Sequence, residues 1–324
     1  MAEQRVLLEI QDLQVHYSVR TGTVRGVDRV SLSVYEGETL GLVGESACGK
    51  STLGRAILRL VSEPGEIVGG RILFNGEDLL AKSEQEMAQI RGKKISMVFQ
   101  DPMTSLNPLQ RIDHHYIETI RTHEPRISKA EAFERAAAMF DHLGIQRQRL
   151  QYYPHQFSGG MRQRVMIGLA LILSSGLVIA DEPTTSLDVI VEAQILDLLK
   201  ALKDKLQMTL ILISHNLGIV AEMADRLAVM YAGKLVEVAP AQALFDEPLH
   251  PYTRGLLASV PNIRLDDVTL ETMPGVPPDL INPPAGCRFH PRCPRRMDRC
   301  REEEPPFRPV RVGRSTACWL YDEA

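Results

Sequence analysis

One run of nine residues, Gly44-Glu45-Ser46-Ala47-Cys48-Gly49-Lys50-Ser51-Thr52, carries the most specific chemistry in the chain. Its spacing is G-x-x-x-x-G-K-[ST], with an apolar run at 39–43 before it and an apolar helical stretch at 53–60 after it. Glycines let backbone N–H groups turn inward around phosphate oxygens, and a helix N-terminus adds partial positive charge. Lys50 can then reach β- and γ-phosphates, and Ser51 can coordinate Mg²⁺. A second candidate is Asp181-Glu182, which closes an apolar run at 177–180. Two acids at the end of a buried strand are costly unless a cation meets them. Mg²⁺ on a nucleotide meets that need: Asp181 holds the ion through water, and Glu182 polarises the attacking water. An Asp-Glu pair alone more often starts a helix; the phosphate loop upstream reverses that preference.

Other residues are less telling by themselves. Ser158-Gly159-Gly160 before a helix is an ordinary N-cap with a flexible turn. His114-His115 does not make a metal pair, because adjacent residues do not share a helix face. Four of the five cysteines, Cys287, Cys293, Cys300 and Cys318, fall in the last 38 residues. In a reducing compartment that grouping suggests metal ligation more than disulfides. The spacing is not that of a C-x-x-C zinc ribbon, yet four thiolates can hold either Zn²⁺ or an iron–sulfur cluster.

Strands and helices must position these groups. Residues 7–15, 30–34 and 71–74 read as short strands punctuated by Gly37, Gly69-Gly70 and Asn75-Gly76. Apolar runs at 39–43, 95–99, 177–180 and 209–214 read as strands covered on both faces. Ser128 and Glu131 predict a capping box, with Ala130, Phe133, Ala137 and Phe140 following at helical spacing. Val191, Ile195, Leu198, Leu202 and Leu206 mark another amphipathic helix. The alternation implies a parallel α/β core. Thirteen of the 20 prolines lie at or beyond residue 248, which predicts a tail with little regular structure that needs a staple.

The 324-residue chain is 44% hydrophobic and 24% charged, the balance of a globular protein with a core. A net charge of −4 gives no electrostatic case for nucleic-acid binding. No apolar run nears the roughly 20 residues that span a bilayer. The charged start, Met1 to Ile10, lacks a signal peptide's apolar stretch, so the chain is expected in the cytosol, with any membrane role exerted through partners.

Taken in order, the phosphate loop, Gln100, Ser158-Gly159-Gly160, Asp181-Glu182, Ser186-Leu187-Asp188 and His215 make the chain resemble the ABC ATPase family over about residues 6–250. Gln100 to Pro108, Tyr153-Pro154-His155-Gln156, His250-Pro251-Tyr252-Thr253 and the Cys-containing tail resemble the oligopeptide/dipeptide (nickel) importer branch. The resemblance implies a P-loop α/β core with an antiparallel β subdomain in residues 1–247, a helical subdomain at about 101–170, and a C-terminal extension at 248–324. It implies that Tyr17 stacks on adenine and that Gly44, Glu45, Ser46, Ala47, Cys48, Gly49, Lys50, Ser51 and Thr52 wrap the phosphates. Gln100 senses Mg²⁺ and water, His215 contacts the γ-phosphate, and Asp188 sits at a dimer seam. Ser158, Gly159 and Gly160 close over the ATP held by the opposite subunit. Cys48 reads as a small neutral filler, with a second reading in which its oxidation or alkylation blocks ATP binding. Met161, Asn216 and Ser174-Ser175-Gly176 depart from common patterns of the family without removing a catalytic group. For the four cysteines the resemblance favours [4Fe–4S] over Zn²⁺, with Arg288, Arg292, Arg295, Arg296 and Arg299 offsetting its charge. The implied partners are a second, related ATPase subunit, two membrane permeases and an extracytoplasmic binding protein, with no nucleic acid. The implied location is the cytoplasmic face of the inner membrane. A motor for nickel or another small solute, and a soluble ABC ATPase outside transport, are the alternatives.

Overall fold

The computed structural model describes residues 5–101, 105–185, 187–259 and 273–322. Pro102, Met103, Thr104 and Ser186, which contribute to the motifs above, lie outside the described residues. The chain divides into two units, one of Met1–Ala81 with Leu212–Ala324 and one of Lys82–Ile211.

In the first unit, β1 (Val6–Val19) pairs antiparallel with β2 (Gly22–Tyr35) and with β4 (Gly65–Phe74). Leu8, Ile10, Leu13 and Val15 of β1 are all buried. Their spacing drifts from strict alternation because the register shifts around Asp12, whose φ is +46°. The short β5 (Glu77–Asp78) completes a four-stranded sheet in the order β2-β1-β4-β5. The apolar strand β3 (Thr39–Val43), buried at every position, pairs parallel with β9 (Arg226–Tyr231). It delivers the phosphate loop to α1 (Lys50–Ile57). β9 turns back antiparallel into β10 (Lys234–Pro240).

In the second unit, α2 (Glu84–Ile90) starts with a complete capping box between Ser83 and Glu86. β6 (Ile95–Val98) and β7 (Leu177–Asp181) then pair in parallel, and both are buried throughout. Three helices intervene: α3 (Ile112–His123), α4 (Lys129–His142) and α5 (Gly159–Leu171). At α4, Ser128 Oγ accepts from the Glu131 N–H, the first arm of the expected box. Tyr116, on α3, ties these helices together. Its ring meets Phe140 edge-on at 5.6 Å, and its hydroxyl donates to Val165 O at 2.9 Å. α6 (Val189–Leu206), capped by Asp188, follows, and the unit's boundary at Ile211 falls within β8 (Thr209–Ile213).

The C-terminal extension has more regular structure than its prolines predict. α9 (Pro251–Ala258) places Pro251 in its first turn, where a missing N–H costs nothing. The strands β11 (Arg308–Arg311) and β12 (Arg314–Thr316) form a hairpin, and β12 pairs antiparallel with β10. Pro309 is compatible with this arrangement because β11 is an edge strand. The extension is therefore tied to the rest of the first unit by backbone pairing as well as by side chains. Buried Glu237 on β10 accepts the N–H groups of Leu249 and His250, each at 2.9 Å. Phe289 packs among Tyr231, Tyr252 and His250, with ring centroids 5.2–5.8 Å away. Burying Phe289 and Tyr252 contributes roughly 2–3 kcal/mol each.

Candidate functional site

The phosphate loop belongs to the first unit. Its shape depends on two glycines: Gly44 has φ +150° and Gly49 has φ +106°. A Cβ on Gly44 would lie 2.2 Å from Met230 O, and one on Gly49 would lie 2.1 Å from Gly26 O. No other residue type fits either place without moving backbone. Gly49 caps α1 with no side-chain hydrogen bond, which leaves the first helical N–H groups directed at the loop. Lys50 is buried, and its ammonium donates to Gly44 O at 2.8 Å and to Glu45 O at 3.0 Å. Tyr17 is half-buried, packs against Gly26 and Gly65, and shares a 3.2 Å hydrogen bond with Thr52 Oγ1 beside α1. Burial pushes the Cys48 thiol up, and Lys50 only partly opposes this. A buried, protonated thiol is a poor nucleophile, which favours the small-filler reading of Cys48.

The acidic pair belongs to the second unit. Asp181 is fully buried at the end of β7, while Glu182 is half-buried and has a left-handed backbone at φ +47°. That conformation costs a non-glycine residue on the order of 1–3 kcal/mol. Two neutral donors hold its carboxylate: Gln100 Nε2 and Thr185 Oγ1 both reach Glu182 Oε2 at 2.9 Å. Ser158 caps α5 by accepting the Met161 N–H at 3.4 Å, and is exposed beside half-buried Gly159 and Gly160. Asp188 is also exposed and caps α6 through the Val191 N–H at 3.0 Å. In the first unit, exposed His215 directly precedes Asn216, whose side chain caps the short helix α7 (Leu217–Met223).

The expected metal site is less complete. Among the described residues no group of three or more His, Cys, Asp or Glu is gathered closely enough to hold a metal ion as it stands. Cys287, Cys293, Cys300 and Cys318 do line one small cavity together with Arg295. Burial pushes the Cys287 thiol up to about 12 and the Cys318 thiol up to about 11, and the other sulfurs add to both shifts. The nearby backbone of Phe289, Arg295 and Leu320 opposes the rise at Cys287, Cys293 and Cys318. The five arginines do not form one shell around the cysteines. Arg295 and Arg296 act on the Cys293 sulfur, but Arg288 turns to Asp28 and Ala232 O. Arg292 turns to Glu45, and Arg299 turns to Glu303, Asp322 and the Trp319 ring. Each of these three finds a carboxylate that outcompetes a neutral thiol as a partner.

A family model described as ABC transporter matches residues 27–185, and one described as Oligopeptide/dipeptide transporter, C-terminal region, matches residues 236–300. The chain is 46% identical over 321 residues to a dipeptide transport ATP-binding protein of Bacillus subtilis, covering 98% of this chain and 95% of that protein. It is 45% identical over 323 residues to an oligopeptide transport ATP-binding protein of Escherichia coli, covering 98% and 95%. This chain is an ABC transporter ATPase of the oligopeptide/dipeptide branch. A dimeric bacterial ABC transporter cassette has the same fold, with a TM-score of 0.65 at 25% identity, over 72% of this chain and 98% of that one.

Several groups in this ABC ATPase escape a reading by motif. Thr185 fixes Glu182 but carries no mark beyond lying three residues after it. Val189 and Ile190 are 79% and 72% exposed directly after Asp188, an apolar patch hidden in sequence because they open an amphipathic helix. Ser175, in the segment that departs from the common pattern, is buried and hydrogen-bonds Ser96 at 2.7 Å. Tyr252 and Arg292 grip the phosphate loop from the extension, and no local pattern announces either one.

Proposed function

We propose that this ABC ATPase couples ATP hydrolysis to the uptake of di- or oligopeptides through membrane permeases. The observation that carries the reading is likeness over nearly the whole chain, extension included, to dipeptide and oligopeptide transport ATP-binding proteins. Among the described residues no helix is long and apolar enough to cross a membrane, so the reading assigns passage of the cargo to partner chains. Those partners are two permeases, a second ATPase subunit and an extracytoplasmic binding protein, with this chain at the cytoplasmic face.

The residues divide the work by chemistry. Lys50 and the loop N–H groups bind the β- and γ-phosphates, and Tyr17 stacks on the base. Ser51, Gln100 and, through water, Asp181 would hold Mg²⁺, a hard cation that would neutralise charge developing on the phosphates. Glu182 holds and polarises the attacking water, and His215 contacts the γ-phosphate. Gln100 and Thr185 support this role because they fix the carboxylate without cancelling its charge. Ser158, Gly159 and Gly160 serve the ATP of the opposite subunit, and Asp188 lies at the seam. Exposed Val189 and Ile190 support a seam there, since an apolar pair in water favours burial against a partner. Gentle detergent extraction of the tagged chain from its native membranes tests the transport reading. Co-purification of two permeases, a second ATPase and a binding protein is expected, and ligand from that binding protein names the cargo. Nickel or another solute in that protein would replace peptide, and recovery of ribosomal or DNA-repair proteins without permeases would overturn transport.

A second reading concerns the cysteines. Four sulfurs around one cavity support a thiolate-bound [4Fe–4S] cluster with a structural role. Iron and sulfide in anaerobically purified protein are expected; zinc alone would replace the cluster.

A further inference from the structure

Glu45 is an unexpected residue for a loop that receives phosphates. It is the second residue of that loop, and its carboxylate would repel the anion the loop serves. The structure cancels that charge from far along the chain. Arg292 Nη1 donates to Glu45 Oε2 at 2.8 Å and Arg292 Nη2 donates to Glu45 Oε1 at 3.0 Å, a bidentate fork. The arginine is itself held in place. Its Nε donates to Pro274 O at 2.9 Å, and its Nη1 donates to Tyr231 OH at 3.3 Å. Its guanidinium lies 5.8 Å from the Tyr231 ring centroid and 6.0 Å from that of Phe289. Only 6% of the Arg292 side chain is exposed, against 24% for Glu45. A second hold comes from α9, where Tyr252 OH accepts the Glu45 backbone N–H at 2.8 Å. Lys50 takes the carbonyl of the same residue at 3.0 Å. Glu45 is thus gripped at its N–H, its carbonyl and its carboxylate, and two of the three grips come from the extension.

We propose that Arg292 is a positioning residue for ATP binding: the C-terminal extension reaches back to fix Glu45 and to cancel its charge before the phosphates arrive. This rests on the reading of residues 44–52 as the phosphate site. Without Arg292, the Glu45 carboxylate stays in the loop, loses its fixed rotamer and faces the phosphates uncompensated. Tyr252 keeps the backbone placed, so the loss falls mainly on affinity and much less on the chemical step. The extension then has a function in the ATPase cycle that its distance along the chain conceals.

The test is ATP affinity of the full-length chain, read by displacement of a fluorescent ATP analogue, together with the KM and kcat of ATP hydrolysis. Arg292→Gln should weaken ATP binding about tenfold at low salt and raise KM to match, with kcat changed less than about threefold. The penalty should shrink as salt rises, because the repulsion is screened. In a Glu45→Gln background, the Arg292→Gln change should cost less than about threefold, the signature of two groups that act through each other. Arg292→Lys, which keeps the charge but not the fork, should fall between wild type and Arg292→Gln, and it serves if the glutamine variant fails to fold. Unaltered affinity in Arg292→Gln, or an equal loss with and without the Glu45 carboxylate, would overturn the proposal. A Lys50→Ala chain that still binds ATP tightly would instead overturn the reading of the loop itself.

Discussion

Two glutamates in this ATPase are held in opposite ways. Glu45 accepts a bidentate ion pair from Arg292, so its charge is cancelled where anions are to bind. Glu182 accepts from the amide of Gln100 and the hydroxyl of Thr185, neither of which brings an opposing charge. Neutral donors orient a carboxylate without an opposing charge; a guanidinium makes it a structural group. The backbones differ as well. Glu182 sits in a strained left-handed conformation, as residues at reacting centres often do, whereas Glu45 has no positive φ. How a carboxylate is held therefore depends on the donors the fold brings to it, and the same residue type is held in two ways in one chain.

The sharpest way to break this contrast is Glu182→Gln, which removes the charge that the neutral donors preserve. Turnover should fall at least about a hundredfold while ATP still binds, as read by steady-state hydrolysis and by nucleotide binding. Normal turnover would show that Glu182 is not the polarising base. Arg292→Gln should come next, with its roughly tenfold change in affinity and little in kcat. Thr185→Val then probes the neutral side of the comparison. Losing the Thr185 donor loosens Glu182, and kcat should drop about three- to tenfold at unchanged KM. A rise in KM alone would mean that Thr185 serves binding instead.

The smallest effect concerns the helix from which Tyr252 grips Glu45. His250 caps that helix by accepting the Tyr252 N–H at 3.0 Å. Its complete burial lowers its pKa from 6.5 to about 3, with a hydrogen bond to Ala317 opposing the shift. Between those values the unfolded chain binds a proton that the folded chain refuses. This contribution to stability is present above pH 6.5 and is lost as pH falls below it, by about 1.4 kcal/mol at pH 5.5. Urea unfolding at pH 7 and pH 5.5 should show that loss, and His250→Asn should flatten it. An identical pH slope in the variant would exclude His250 as the source.

Much of the architecture is legible along the chain because it is local. β3 coincides with the apolar run at 39–43, and Ser128 caps α4 where the pattern places it. The extension is less legible. Its prolines do forbid long helices, but they do not reveal that β12 pairs with β10, because strand pairing is not a local property. The cysteines read correctly as neighbours, since they share one cavity. Their arginines do not read correctly as a common shell, because each guanidinium goes to whichever carboxylate the fold brings near.

The phosphate loop, the acidic pair, the Ser158-Gly159-Gly160 turn and the family can all be read from the chain alone. Each of these is a contiguous stretch whose chemistry follows from backbone geometry and from residues a few positions apart. Only the tertiary structure decided which donors surround each carboxylate. Arg292 lies 247 positions from Glu45, and no periodicity or spacing carries information over that distance. The pair exists because the extension folds back onto the loop, where a buried guanidinium needs a carboxylate and a carboxylate beside phosphates needs a cation.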